Sequence, residues 1–461
     1  MKRTDVVVVF AALSALLLRL ACQLNFVDVD LFHEMALARA AFALGHIPRD
    51  DIFAFTPTLH PTVHHEWGTG VVLYVVSMVA GGPGLIALKY LLVAGIAFFT
   101  VKAARLRGAP WETIGALAPA AALLVQNGLT TIRAQVFTML FTAILMALLE
   151  QDRRGKRLWI LPWLVAHLIW LNMHAGFLVG TGLLAVHWLE QVIRTKKPQP
   201  HLIAGGLAMA ALVLVNPWGM GYVHYLFAAL TMTRIVGEWK PIWVIADSTE
   251  LAVYVFSLVL VAYCALRLGW KKIPGILVVV LCAYLGAKTV RHVTFYAVAW
   301  LAHVPAWVAA TPLGETIVTL WNRRNRGISY VAAVVGILLF GSAILTHPFT
   351  LRINTDPNAD ASVVEVAYPA GATRYLAEQH FQGNVLTHFN VGSFVSWSLY
   401  PPVKVGLDSR YEVAYPTAVV TDMQTFYLAQ PGWETTLTKY PADLALVTRS
   451  RPIAALMRTK T

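Results

Sequence analysis

The residue types best suited to chemistry are concentrated near the start of the sequence. Four Asp, two Glu and five His fall within residues 28–67, in a chain that has 24 acidic residues overall. Two carboxylates one residue apart, such as Asp28 and Asp30, can hold a hard cation or act as a general base. The sequence therefore predicts a site here. The candidate catalytic residues are Asp30, Asp28, His33 and Glu34, and the candidate binding residues are Asp50, Asp51, His65 and Glu66.

Each acid also has a structural interpretation. Asp30 alone would serve as the N-cap of a helix over 31–44, and Asp50 and Asp51 would suit a turn. The cluster as a whole favours a functional site. The same cluster is a candidate site for a divalent cation, Mg²⁺ or Mn²⁺, with Asp28 and Asp30 as ligands.

The elements that must position these residues are membrane helices. The 461 residues are 57% hydrophobic and 13% charged, whereas soluble domains carry about 25% charged residues. Apolar runs of about 17 to 22 residues recur, the length that crosses a hydrocarbon core of about 30 Å. The formal charge of +12 is dispersed over short loops, which fits the orientation rule for cytoplasmic loops and argues against nucleic acid as a partner. The three cysteines lie in or beside apolar runs, and we expect no disulfide framework.

We predict about eleven transmembrane helices, the first of them an uncleaved signal anchor. They lie near 5–24, 84–104, 111–127, 133–150, 157–171, 175–193, 200–216, 249–267, 273–288, 291–311 and 327–346. The segment 68–81 is apolar but would be only about 21 Å long as a helix. We therefore expect an interfacial or re-entrant helix that ends at the turn Gly81-Gly82-Pro83-Gly84.

This count places the N-terminus and 18 of the 36 basic residues in the cytoplasm, as the orientation rule requires. Residues 1–346 then form a transmembrane domain, with a first outer loop over 25–83 that contains juxtamembrane helices. In residues 347–461 the apolar runs shrink to strand length and alternate with helices near 370–380, 417–428 and 452–458. This pattern predicts a small extracytoplasmic α/β domain.

Weaker candidates lie in the other outer loops. His174 interrupts an apolar run within Asn172-Met173-His174-Ala175-Gly176, either as part of a site or as part of a plain connecting loop. Lys288, Arg291 and His292 lie at the outer ends of spans, as do Glu238 and Lys240. Cations there can bind a phosphate or extend to lipid headgroups, and we favour phosphate for Arg291 and His292. In the tail, Asp408-Ser409-Arg410 is either a charged site at a sheet edge or a structural pair that holds a turn.

The first outer loop resembles that of the GT-C superfamily, the polytopic glycosyltransferases that use polyprenyl-phosphate-linked sugars. The resemblance is closest to bacterial members of the family 39, protein mannosyltransferase-like type. It is carried by Asp28, Asp30 and His33, by Gly45, Pro48, Arg49, Asp50, Phe53 and Thr56, and by His65-Glu66-Trp67. The segments Trp170–Phe177 and Asn216–Gly219 are also similar to that group. Gly392-Ser393-Phe394 and Asp408-Ser409-Arg410 resemble members with a C-terminal α/β domain.

The resemblance implies a lipid-linked sugar donor, an acid after the first span that acts on the acceptor, and in some members a divalent cation. That acid would be Asp30 or Asp28. Family members usually have an acid followed directly by Glu, whereas here Glu34 lies one helical turn later. The implied reaction is glycosyl transfer on the outer face of the bacterial cytoplasmic membrane, to a glycan, lipid or protein acceptor. A transporter or a non-catalytic membrane scaffold is the alternative, although the acids are concentrated outside the spans.

Overall fold

The computed structural model describes residues 27–232, 237–346 and 366–459, together with residues 351, 353 and 355. The predicted first span over 5–24 lies outside these residues. Of the cysteines, Cys264 and Cys282 are buried free thiols.

The described chain is mostly helical. The helices are α1 (Val29–Leu44), α2 (Trp67–Leu106), α3 (Trp111–Val125), α4 (Ala134–Arg153), α5 (Ile160–Met173), α6 (Phe177–Thr195), α7 (Pro200–Leu212), α8 (Met220–Thr231), α9 (Ile242–Ile245), α10 (Ser248–Leu268), α11 (Ile276–Lys288), α12 (Val293–Ala309), α13 (Pro312–Thr346), α14 (Ala370–Glu378), α15 (Phe389–Leu399), α16 (Tyr411–Ala414), α17 (Thr417–Tyr427), α18 (Glu434–Lys439) and α19 (Pro452–Thr459). The strands are β1 (Gly383–Leu386), β2 (Val403–Val405) and β3 (Leu444–Ala445). Short 3-10 turns cover Gln126–Gly128, Gly237–Trp239, Trp270–Lys272 and Val290–His292.

Each predicted span within the described residues coincides with a helix. Helices α2, α4 and α10 are long and apolar enough to cross a membrane, and α5, α7 and α11 are shorter apolar helices. Val290–Ala309 and Pro312–Trp321 form a further candidate, a pair bent by 89°. These helices are typical of a polytopic membrane protein, while the number eleven stays a prediction.

Helix α2 is broken at the turn that the sequence indicates. Gly81 has φ 58° and ψ −152°, a conformation outside the helical region that glycine adopts at little cost. Pro83 follows it and lacks the N–H that would continue the hydrogen-bond ladder. A straight helix of 40 residues would be about 60 Å long, twice the hydrocarbon core. The break therefore agrees with a separate segment over 68–81, whose position at the interface stays a prediction.

The chain divides into two compact units. Among the described residues, a helical unit consists of those within 86–213 and 230–350. A mixed unit consists of Phe26–Leu85, Leu214–Ala229 and Leu351–Thr461. The mixed unit thus combines most of the predicted outer loop with the predicted C-terminal domain.

The sheet of the mixed unit is parallel, with strand order β2-β1-β3. The three strands and the helices α14, α17 and α19 confirm the α/β character predicted for the tail. Ala54 of the outer loop bridges Val405 in parallel, and Val405 N donates to Phe53 O at 2.9 Å while Phe55 N donates to Val405 O at 3.1 Å. The loop therefore pairs with the free edge of β2 and satisfies backbone groups that an edge strand leaves open.

Loops predicted to share the cytoplasmic side meet within the helical unit. Arg107 pairs with Glu150 at 3.0 Å, and Arg153 pairs with Glu190 at 2.9 Å. The other partner of Glu190 is the backbone N–H of Gly275, which donates to Oε1 at 2.6 Å. These contacts tie together the ends of α2, α4, α6 and α11.

Candidate functional site

Helix α1 begins at Asp28, which is its N-cap. Asp28 is extended (φ −73°, ψ 148°), and its carboxylate accepts the N–H of Asp30 at 3.1 Å. The prediction that Asp30 would cap a helix over 31–44 is therefore wrong by two residues. Asp30 instead lies in the first turn, where a negative charge is favoured by the helix dipole. Asp30 therefore does not cap α1, and its carboxylate is one-third exposed.

Two carboxyl groups meet because α1 and α2 cross closely at Gly70. A Cβ at this position would lie only 2.5 Å from the backbone oxygen of Glu34, so only glycine permits the approach. Glu66 lies one turn earlier in the chain, and its backbone oxygen accepts the N–H of Gly70 at 3.1 Å. The crossing therefore places Glu66 beside Glu34.

His33, Glu34 and Glu66 form a cluster, which we call the acid–imidazole cluster. One potential ligand atom from each lies within 4.8 Å of the others. Burial raises the pKa of Glu34 well above its ordinary value, and the neighbouring Glu66 carboxylate raises it further. Burial also lowers the pKa of His33 to about 4, so its imidazole is neutral at pH 7. The cluster thus provides a neutral imidazole and two closely spaced carboxyl groups, one of which resists ionisation.

The imidazole of His33 is held by serines from the C-terminal segment. His33 Nδ1 lies 2.8 Å from Ser409 Oγ, and Ser409 Oγ lies 2.7 Å from Ser393 Oγ. Asp30 Oδ1 is 3.8 Å from the same ring nitrogen of His33, Nδ1. Sequence reasoning singled out the segment that contains Ser409 but gave it no role in orienting His33.

Aromatic side chains surround Glu66. His65 Nε2 lies 3.3 Å from Glu66 Oε1, and the His65 ring stacks on Tyr225 with centroids 5.0 Å apart. Tyr222 stacks in turn on Tyr225 at 6.3 Å and is almost fully buried. Burial raises the pKa of Tyr222, and the charge of Glu66 adds to the effect. Sequence reasoning missed both tyrosines, for which the only signal was their i, i+3 spacing after Asn216-Pro217-Trp218-Gly219.

Asp50 and Asp51 are adjacent but have opposite environments. Asp50 is exposed and lies 3.0 Å from His60 Nδ1. Asp51 is buried, and its Oδ1 accepts the backbone N–H groups of Phe53 and Ala54. Its Oδ2 pairs with the guanidinium of Arg410. Burial would raise the pKa of Asp51, but Arg410 and the backbone donors outweigh it and hold that pKa below its ordinary value. Neither acid belongs to the acid–imidazole cluster.

Arg410 lies between two buried carboxylates. Its Nε is 3.0 Å from Asp408 Oδ1, its Nη2 is 2.5 Å from Asp408 Oδ2, and its Nη1 binds Asp51. The Asp408–Arg410 motif is thus the structural pair that the sequence allowed as one alternative. It fixes residues 51–54 beside the sheet.

The candidates of the helical unit are engaged in contacts of their own. Arg291 pairs with Glu238 Oε1 at 2.7 Å and lies over the ring of Trp239, while Arg133 pairs with Glu238 Oε2 at 3.1 Å. The ring of His292 also packs against Trp239. Burial would raise the pKa of Glu238, but Arg291 and Arg133 outweigh burial and lower it to about 2. The charge of Arg291 is therefore offset in part by Glu238, which it shares with Arg133.

The described contacts of His174 and Lys288 do not include Arg291 or Arg133. His174 Nδ1 accepts the N–H of Gly176 at 3.2 Å and lies 2.7 Å from Thr138 Oγ1. Thr138 in turn accepts the indole N–H of Trp170 at 2.8 Å. These bonds fix the turn between α5 and α6, which agrees with the loop interpretation of this motif. Lys288 is exposed at the end of α11.

Replacing Glu238 by Gln is expected to destabilise the helical unit. The two guanidinium groups would lose their shared counter-charge, at a cost of about 1–3 kcal/mol at pH 7. The pKa of Glu238 is about 2 in the folded protein and about 4.3 in the unfolded chain. The stabilisation that Glu238 provides is therefore complete at pH values above the unfolded pKa, and it is lost as the pH falls through the folded pKa. Urea unfolding of Glu238→Gln and wild type should therefore differ at pH 7 and converge near pH 2. Glu315→Gln, which changes an exposed acid of the same unit, should match wild type throughout, and an equal loss there would contradict the prediction.

No family model and no curated protein matches the sequence. Among solved structures, the fold is similar to that of the oligosaccharyltransferase of Archaeoglobus fulgidus, crystallised with a tethered acceptor peptide that contains the NVT sequon. The TM-score is 0.53 at 10% sequence identity, and the similarity covers 95% of this chain and 68% of that chain. At this level of identity the likeness is one of fold alone. This likeness does not show membership of family 39.

Proposed function

We propose that this chain is a membrane glycosyltransferase of the family 39-like type. It moves a sugar from a polyprenyl-phosphate donor to an acceptor on the outer face of a bacterial cytoplasmic membrane, with inversion at the anomeric carbon. The acceptor is a glycan, a lipid or a protein. The observation that carries the proposal is the convergence of His33, Glu34 and Glu66, with Asp30 beside His33, in a fold similar to that of an oligosaccharyltransferase.

In this mechanism Asp30 is the general base. Its carboxylate is one-third exposed, so that an acceptor hydroxyl can reach it. The acceptor oxygen bonds to the anomeric carbon while the bond from that carbon to the donor phosphate oxygen breaks. The hydroxyl proton passes to Asp30, and the polyprenyl phosphate leaves with the electron pair. A positioned base of this kind contributes roughly 10²–10⁴-fold in rate.

The acid–imidazole cluster would hold a divalent cation. The Glu34 carboxyl group is buried directly beside that of Glu66, so a cation would offset two closely spaced negative charges. One imidazole nitrogen and two carboxylates suit Mn²⁺ better than Mg²⁺, which prefers oxygen ligands. Such a cation, when bound, would offset the charge of the leaving phosphate. The ligands would then be His33, Glu34 and Glu66, instead of the predicted pair Asp28 and Asp30.

Mn²⁺ is expected to raise the melting temperature of the purified full chain. A ligand that binds only the folded state stabilises it, by about 2.7 kcal/mol at a free concentration 100 times its dissociation constant. Thermal unfolding with Mn²⁺, with Mg²⁺ and with a chelator measures the effect. Glu66→Gln should lose the shift, whereas Asp50→Asn, an exposed acid outside the cluster, should keep it. If Mn²⁺ left the melting temperature of wild type unchanged, the proposal that the cluster binds this metal would be wrong.

The roles of the remaining candidates follow from their contacts. We assign Asp28 to capping α1, and Asp51 to the ion pair with Arg410. Arg291 acts in this proposal as a structural partner of Glu238 and not as a ligand of the donor phosphate. His65 and Glu66 remain at the site, where the stacked ring of His65 limits the directions from which an acceptor can approach.

The transporter alternative has one observation in its favour. Lys89 is buried within a predicted span, and its ammonium donates to the backbone oxygen of Thr130. Charged residues within spans often mark transport pathways.

One experiment separates the two functions. The full chain would be reconstituted in liposomes with polyprenyl-phosphate hexose or pentose, and cell-envelope extract would be added as the acceptor source. Glycosyl transfer predicts release of polyprenyl phosphate together with a labelled product. Movement of the intact lipid-linked sugar between leaflets, with no release in any donor and acceptor combination, would overturn the enzyme proposal.

A further inference from the structure

A groove lies in the helical unit where α6 ends and α7 begins. Its volume is about 490 Å³. The lining includes Trp188, Val192 and Ile193 of α6, Lys196 and Lys197 of the connection, and Ile203 of α7. No acid is part of this lining.

The groove combines an apolar wall with a cationic rim. Ile193 and Ile203 are 50% and 44% exposed, so they offer apolar surface to a ligand. Lys196 has φ 56° and terminates α6 by donating its N–H to Val192 O at 2.9 Å. This left-handed turn places two consecutive exposed lysines at the helix end, directly beside the apolar wall.

Two polar side chains, Arg194 and Trp188, lie close to the two lysines of the rim. Arg194 donates to the backbone oxygens of Lys271 and Lys272 at 3.3 and 3.2 Å, which ties it to the connection between α10 and α11. Trp188 contributes an indole nitrogen that is buried without a hydrogen-bond partner among the described residues. An oxygen-rich ligand would therefore find two cations at the edge of an apolar surface.

We infer that this groove binds an anionic phospholipid. The phosphate lies against Lys196 and Lys197, and the first part of an acyl chain lies along Val192, Ile193 and Ile203. Free phosphate would use the rim alone and leave the apolar wall without a role. A zwitterionic lipid would use the wall but gain less from the two cations. Basic pockets between membrane helices are known to take acidic headgroups.

The test is lipid binding by native mass spectrometry of the full chain, with phosphatidylglycerol and phosphatidylcholine as probes. We expect wild type to prefer phosphatidylglycerol. The double variant Lys196→Gln/Lys197→Gln should lose roughly 10- to 30-fold in affinity for it, since each lysine near a lipid surface contributes about fivefold. The matched control is Arg154→Gln/Lys156→Gln, which removes two exposed cations from another connection of the same unit and should leave the affinity unchanged.

A second variant distinguishes a lipid from a free phosphate. Ile193→Ser/Ile203→Ser should weaken phosphatidylglycerol binding, since it removes apolar surface from the wall. Equal loss in Lys196→Gln/Lys197→Gln and in the control Arg154→Gln/Lys156→Gln, equal binding of the two lipids, or full competition by inorganic phosphate would each overturn the inference. The groove shares no residue with the acid–imidazole cluster, so these results and those of the transfer experiment are independent.

Discussion

Asp30→Asn is expected to lower the rate of sugar transfer by roughly 10²–10⁴-fold while the protein stays folded. The substitution removes the charge that accepts the proton but keeps the shape of the side chain. Because Asp28 caps α1, the change spares the capping hydrogen bond. Loss of the first-turn charge should cost no more than about 1 kcal/mol. The measurements are the initial rate of polyprenyl phosphate release and the melting temperature of the same preparation.

Asp28→Asn is the matched control. Asparagine caps helices as well as aspartate does, so this variant should keep both the wild-type rate and the wild-type melting temperature. Two outcomes would contradict the assignment. If Asp30→Asn turned over at the wild-type rate, Asp30 would not be the general base. If Asp28→Asn were inactive at the same time, the catalytic role would move by two residues.

Arg410→Met is expected to destabilise the mixed unit by about 3–5 kcal/mol. Removing one member of a buried ion pair leaves uncompensated charge in the interior, and here Asp51 and Asp408 would both lose their partner. Burial of Arg410 would lower its pKa, but the two carboxylates outweigh burial and raise it further above its already high ordinary value, so its charge persists at any pH of interest. Limited proteolysis within residues 51–62, followed by mass spectrometry, would detect release of the outer loop.

A surface ion pair of the same unit provides the comparison. Lys439 pairs with Asp422 at 2.6 Å, but the side chains are 50% and 30% exposed. Lys439→Gln should therefore leave the proteolysis pattern of wild type. If proteolysis cut residues 51–62 no faster in Arg410→Met than in Lys439→Gln, the buried ion pair would not be what holds the loop.

Short-range patterns predicted much of the fold. Apolar runs predicted helices at every span within the described residues, because a helix that faces lipid must be apolar along its length. Glycine and proline marked the break in α2 at Gly81. In the tail, the strand-length apolar runs at 384–386, 403–407 and 444–447 coincide with β1, β2 and β3, although β2 and β3 each end two residues earlier. The cap of α1 was placed two residues late, since aspartate at either position satisfies the capping pattern and only backbone geometry distinguishes them.

The candidate site was predictable as a set of residues but not as an arrangement. Composition alone indicated that 28–67 carries chemistry, and it included all three members of the acid–imidazole cluster. It also included Asp50 and Asp51, which lie elsewhere. Nothing local separates Asp51 from Asp30, because the difference is a guanidinium 359 positions away in the chain.

The sequence by itself determined a chain of apolar helices, an α/β tail and an N-terminal group of acids and histidines. Helices and short strands depend on periodicity, hydropathy and turn residues. These signals extend over only a few positions, so they can be read directly from the sequence. Only the tertiary structure decided which of the acids meet. Glu34 reaches Glu66 because Gly70 allows two helices to touch, and His33 is held by Ser409, 376 positions further on. Contacts of this kind depend on how distant segments pack, and packing leaves no pattern within either segment.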